Sequence, residues 1–196
     1  MPVKRIFVAF DISAEARQSA AEYIDRLRAH FSHCPASWTK PDKLHFTLRF
    51  LGDVDVYKMN SVFDAAAFAA ARVGSAELWL EGTGVFPSPG KARVLWLGAK
   101  GDLETIAILK RCLDDRLQLT GFEADQKRFT PHLTLARVKD PNACGQMVES
   151  HLRSDFQTAR FQLSEIVLYE SKLHPAGSIY TVLEHFKFAG PTTLPK

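Results

Sequence analysis

The chain opens on KRIFVAFDI, an alternating, β-rich run, and then changes period. In AEARQSAAEYIDRLRAHF the apolar positions Ala20, Tyr23, Ile24, Leu27 and Phe31 recur at helical spacing, with Asp11 or Ser13 placed to cap the first turn. Turn signals around Pro35 and Pro41 separate this helix from a second strand. There Leu44, Phe46, Leu48 and Phe50 fall on one face, and Lys43, His45, Thr47 and Arg49 on the other. Helical spacing returns in VYKMNSVFDAAAFAAARV, followed by two strands, AELWLEGTGVF and ARVLWLGA, joined through FPSPGK.

The second half repeats this order. DLETIAILKRCLDDRLQLTG is an amphipathic helix closed by Gly121, FTPHLTLARV a strand, and NACGQMVESHLRS a shorter helix. DFQTARFQ, LSEIVLYESKL and SIYTVLEHFKF read as the closing strands. The order βαβαββ then αβαβββ predicts an α+β fold. It is expected to be duplicated and bilobal, with two antiparallel-rich sheets facing a central cleft and helices on the outer faces. Residues 1–190 are expected to form one domain with a pseudo-twofold internal repeat, and 191–196 a tail.

Composition narrows the class. An apolar content of 46% over 196 residues supports a continuous core. No apolar run is long enough to span a bilayer, and MPVKRIFVAFDIS turns polar too early for a signal peptide, so a cytoplasmic protein with no membrane partner is expected. Cys34, Cys112 and Cys144 are odd in number and widely spaced, which implies neither a disulfide framework nor a zinc knuckle. A net charge of +3, not gathered into a basic run, suits a single phosphate or a nucleic-acid end better than a coated duplex.

One tetrapeptide pattern occurs twice, once in each half and each time on a strand that follows a helix: His45-Phe46-Thr47-Leu48 and His132-Leu133-Thr134-Leu135. Alternation aims His45 with Thr47, and His132 with Thr134, away from the apolar residues between them. Either copy alone reads as an ordinary half-exposed surface pair. Two matching copies supply two imidazoles whose ordinary pKa near 6.5 lets one act as base and the other as acid. In-line displacement at phosphorus without a metal needs such a pair, with hydroxyl or guanidinium donors on the non-bridging oxygens. Thr47 and Thr134 are candidate donors. Arg137 is a third, but five residues after His132 it falls on the wrong face unless the strand bulges near Ala136. Arg49, on the face of His45 and Thr47, is a fourth. No second His or carboxylate stands at ligand spacing in either copy, so no metal site is expected; no Gly-x-Ser-x-Gly elbow is present.

These residues carry a resemblance. HFTL and HLTL, with RIFVAFDI, KLHFTLRFLG, GVFPSPGKARVLWLG, RFTPHLTLARV and IVLYESKLHPAGSIYTVL around them, resemble the two-histidine phosphoesterase superfamily in its RNA 2',3'-cyclic phosphodiesterase, or 2'-5' RNA ligase, branch. The resemblance covers nearly the whole chain. It implies a bilobal fold with both motifs in a central cleft, and hydrolysis of a 2',3'-cyclic phosphate at an RNA end to a 2'-phosphate, with no cofactor and no metal. It makes His45 the proton donor and His132 the proton acceptor, with Thr47, Thr134 and Arg137 binding phosphate. Arg49 departs from the small or apolar residue usual at its position.

The partner implied is an RNA with a 2',3'-cyclic phosphate end or a related nucleotide, taken up by a monomer. Alternatives are 2'-5' RNA ligation, a 2',5'-oligonucleotide or cyclic nucleotide phosphodiesterase, and, in a different class, a non-catalytic RNA-end binding module. Trp79, Trp96 and most of the fourteen phenylalanines read as core. Asp114 and Asp115 read as solvated helix positions, and His30, His33, His151, His174 and His185 as surface or turn residues.

Overall fold

The computed structural model describes residues 2–126, 129–175 and 177–190; the expected tail at 191–196 lies outside them. In chain order the elements are β1 (Val3–Asp11), α1 (Ala14–His30), β2 (Ala36–Trp38), β3 (His45–Asp55), α2 (Met59–Ala70), β4 (Ala76–Phe86), β5 (Val94–Gly101), α3 (Leu103–Leu119), β6 (His132–Val138), α4 (Gly145–Leu152), β7 (Phe161–Leu163), β8 (Glu165–Lys172) and β9 (Ile179–Lys187).

Local chemistry explains the boundaries. Ser13 caps α1 by accepting a hydrogen bond from the Ala16 amide at 3.1 Å, with Glu15 in the first turn and Arg28 and His30 in the last, signs that favour the helix dipole. Gly121, at φ +82, sits in the left-handed region just past α3. Two expectations change. DFQTARFQ is strand only from Phe161, because the segment before it leaves the sheet except for a single bridge between Gln157 and Glu81. Short β2, between two prolines, carries no alternation that would announce it, yet it pairs with β6.

All the pairings are antiparallel, and the strands run in the order β7-β4-β5-β6-β3-β1-β8-β9. Outward from β3 lie β1, β8 and β9; outward from β6 lie β5, β4 and β7. The two wings therefore meet at the strands that carry the repeated motifs, through the pair Phe46 and Leu133. Both residues are fully buried, and Phe10 stacks on Phe46 with ring centroids 5.0 Å apart. Their face joins a core with Ala20, Ile24 and Leu27 of α1, Val62 and Ala66 of α2, Leu109 and Leu113 of α3, and Met147 of α4. Helices thus cover the face opposite the motif histidines. Phe46→Ala would cost about 3–5 kcal/mol and loosen the seam on which both motifs sit.

Among the described residues, no helix is long and apolar enough to cross a membrane. Cys34 and Cys144, far apart in sequence, are buried neighbours, and burial with the adjoining Cys34 pushes the Cys144 thiol up to about 12. His151 is not a surface residue. It is fully buried, its Nδ1 2.9 Å from the Tyr23 hydroxyl and its Nε2 3.1 Å from the Gly84 carbonyl.

Candidate active site

The two motifs line up residue for residue. His45 Nδ1–H donates to the carbonyl of Lys43 at 2.8 Å, and His132 Nδ1–H to that of Thr130 at 2.7 Å, in each case the backbone two residues earlier. This anchor sets the tautomer and leaves Nε2 of each ring as the lone-pair nitrogen. For His45 that nitrogen lies 3.2 Å from the Thr47 hydroxyl. Aromatic rings fix both imidazoles further. Phe7 stacks on His45 at 5.0 Å and Tyr180 meets it edge-on at 5.4 Å, while Phe86 meets His132 edge-on at 4.9 Å.

A matching bulge follows each motif. Along the pairing of β3 with β1, Thr47 faces Ala9 and Arg49 faces Val8, so Leu48 is the extra residue. Along the pairing of β6 with β5, Thr134 faces Trp96 and Ala136 faces Leu95, so Leu135 is the extra residue. An inserted residue flips the side chains beyond it. In β6 this brings Arg137 to the face of Thr134, as the sequence required. In β3 the same flip overturns two expectations: Phe50 leaves the apolar face and is half exposed, while Arg49 leaves the face of His45 and is buried at 8% exposure.

Arg49 is therefore no phosphate donor. Its guanidinium pairs with Asp125 at 3.0 Å and Asp114 at 3.6 Å and donates to the Glu123 carbonyl. Lys110, also buried, bonds Asp114 and lies 3.2 Å from Asp125. Asp114 is thus a partly buried partner of two buried cations and not a solvated helix position. The cluster ties the segment after α3 to the bulge of β3.

His45, Thr47, Thr134 and Arg137 share one cleft of about 420 Å³, with Thr39, Lys43, Arg5, Phe7, Phe50, Ser171, Leu173, Ser178 and Tyr180. Size and mixed polarity suit a nucleotide-sized ligand. His132 stands beside this lining, close enough that its charge disfavours protonating His45. Burial lowers the pKa of both histidines and outweighs the anchoring carbonyls; for His132 the Arg137 guanidinium adds to the effect. An anion placed between them would reverse part of that. Lys43 donates to the Ser178 carbonyl across one end of the cleft, and its Nζ is 5.9 Å from the Tyr180 ring centroid. Sequence reasoning missed Phe7, Tyr180 and Phe86, whose apolar identity is indistinguishable from core in the linear pattern.

A family model described as the 2'-5' RNA ligase superfamily matches residues 16–175. The chain belongs to that superfamily. It is 33% identical over 186 residues to the RNA 2',3'-cyclic phosphodiesterase of Methanothermobacter thermautotrophicus, covering 93% of this chain and 98% of that protein. It is 31% identical over 188 residues to the protein of that name from Thermotoga maritima, covering 95% and 96%. Among solved structures of the family's fold, TT0787 of Thermus thermophilus superposes with a TM-score of 0.79 at 27% identity, covering 95% of this chain and 98% of that one. Escherichia coli LigT complexed with 3'-AMP gives 0.74 at 25%, covering 95% and 99%.

Proposed function

We propose that the chain hydrolyses the 2',3'-cyclic phosphate at an RNA end to a 2'-phosphate, by acid/base catalysis between His45 and His132 that needs no metal. The observation that carries this is the pair of imidazoles, each held by Nδ1–H on the carbonyl two residues back, which leaves Nε2 as the lone-pair nitrogen at a threonine-lined cleft. Its relatives' names support the substrate class.

His132 Nε2 takes a proton from water as its oxygen attacks phosphorus. The bond from phosphorus to the ribose 3'-oxygen breaks, and His45, protonated on Nε2, gives its proton to that leaving oxygen. The proton roles follow the superfamily's pattern. Thr47, Thr134 and Arg137 stabilise the charge on the non-bridging oxygens. Burial lowers the pKa of His132, which favours the neutral form that acts as base. The anionic phosphate favours the protonated form of His45 once substrate is bound. The mirrored strand order supports origin by duplication within one bilobal domain.

The test is turnover of a short RNA bearing a 2',3'-cyclic phosphate in excess chelator, with the product end identified. Undiminished turnover to a 2'-phosphate is expected. A strict metal requirement, or a 3'-phosphate product, would overturn the reading.

A further inference from the structure

His45 owes its tautomer to one backbone carbonyl, and that carbonyl stands in a turn held from outside. A single 3-10 turn, Pro41–Lys43, precedes β3, and Leu44 lies between the anchoring Lys43 carbonyl and His45. In the second motif Pro131 takes the same place between Thr130 and His132, and its ring fixes φ at about −65°. Leu44 holds a similar φ of −73° with no ring to impose it. Arg17 supplies the missing restraint. From the first turn of α1 its Nη1 donates to the Pro41 carbonyl at 2.7 Å and to the Leu44 carbonyl at 2.8 Å, so one guanidinium grips the chain on both sides of Lys43.

The guanidinium is itself fixed. Arg17 Nη2 lies 3.7 Å from Asp11 Oδ1, and Asp11 Oδ2 accepts from the Tyr169 hydroxyl at 2.9 Å. Tyr169 stacks on Phe7 at 5.1 Å, and Phe7 on His45 at 5.0 Å. These contacts leave His45 by its anchoring carbonyl and return to the face of its ring, with Arg17 joining the two ends. Burial lowers the pKa of His45 and the Arg17 charge lowers it further, against the Lys43 carbonyl and Asp11. Arg17 therefore aids a proton donor through its hydrogen bonds and not through its charge.

Resting on the function proposed above, we infer that Arg17 is the positioning residue of the proton donor: by gripping the Pro41 and Leu44 carbonyls it holds the Lys43 carbonyl at Nδ1 of His45, and so keeps Nε2 turned toward Thr47 and the cleft. An imidazole released from that carbonyl would divide its time between two tautomers and a wider range of ring angles. Positioning lost in this way slows proton transfer to the leaving oxygen. Binding of the phosphate, which rests on other residues, stays as it was.

Steady-state kinetics on a short RNA 2',3'-cyclic phosphate compares Arg17→Met, which keeps most of the stem and no donor, with Arg17→Lys, whose single nitrogen must serve both carbonyls and Asp11. Arg17→Met lowers kcat on the order of ten- to hundred-fold with KM within about two-fold of wild type, and Arg17→Lys recovers part of the loss. In a His45→Ala background, where no donor is left to position, Arg17→Met costs little more. A rise in KM at unchanged kcat, full recovery in Arg17→Lys, or losses that multiply with His45→Ala would each overturn the inference. Nitrogen-15 NMR of the histidine rings at about pH 8, where they are neutral, needs no turnover. Nδ1 carries the proton on His45 of the wild type and on His132 throughout; in Arg17→Met, and to a smaller extent in Arg17→Lys, the His45 signals move toward a mixture of tautomers. An unchanged His45 tautomer in whichever variant folds would sink the positioning role even where turnover falls. An Arg17-dependent tautomer in a protein that hydrolyses no cyclic phosphate would sink the proposed reaction and leave the hold of Arg17 on His45 standing.

Discussion

After its histidine, β3 runs Phe46, Thr47, bulged Leu48, buried Arg49 and open Phe50; β6 runs Leu133, Thr134, bulged Leu135, buried Ala136 and open Arg137. Backbone anchor, tautomer, hydroxyl and bulge agree between the two strands. The last two side chains do not. The shared features are those that any acid/base pair needs on both sides of a phosphate, whereas the differing ones concern what surrounds it. In β6 a small residue fills the buried position and the guanidinium faces the cleft. In β3 the guanidinium is turned inward to hold the segment after α3, which leaves an aromatic ring facing the cleft.

Breaking the shared half should have the largest effect. His45→Ala and His132→Ala are each expected to lower kcat by about 10²–10⁴ with the circular dichroism spectrum unchanged, and the double variant to lose little beyond the worse single one, because the two groups act as a unit. Losses that multiply would mean that the histidines work independently. Arg137→Ala comes next, at about 10²–10³ in kcat, with Arg137→Lys recovering only part, since a point charge lacks the planar fork. Steady-state kinetics on the cyclic phosphate checks both.

Arg49 separates the strands by stability and not by rate. Arg49→Ala removes the buried guanidinium and leaves partly buried Asp114 and more exposed Asp125 to Lys110 alone, so unfolding in urea should show a loss of about 1–3 kcal/mol. Activity of the folded fraction should fall far less than in Arg137→Ala. Were kcat to fall as far as in Arg137→Ala, Arg49 would have a role in the cleft that its burial denies.

The smallest effect lies away from the cleft. Burial holds the pKa of His151 below its ordinary value, so the unfolded chain binds its proton first. Its contribution to stability is present above about pH 6.5 and is lost as pH falls through the lower folded value, at ~1.4 kcal/mol per unit of depression. His45 and His132 act in the same direction. Urea midpoints should therefore drop between pH 8 and pH 5, and drop less in His151→Asn.

Much of this site was legible as alternation. His45 with Thr47, and His132 with Thr134, needed only period two and repetition, and the wrong phase of Arg137 announced a bulge. The twin bulge in β3 was silent because Leu48 and Phe50 are both apolar, so the flipped strand and the straight one read alike. Arg49 could not be placed from its neighbours, since Lys110, Asp114 and Asp125 come from α3 and the segment beyond it. His151 gave no sign of burial because its partners, Tyr23 and the Gly84 carbonyl, lie far off in the chain. Local periodicity finds faces; it does not find partners.

The central claim is that two half-buried, backbone-anchored imidazoles act as base and acid in one cleft, and the pH profile of kcat/KM tests it most directly. Both pKa values lie below the ordinary 6.5 in the free cleft, so the account predicts a bell with its maximum on the acid side of that value. His132→Ala should lose the acidic limb and His45→Ala the alkaline one. A flat profile in the wild type, or both limbs surviving in either variant, would contradict it.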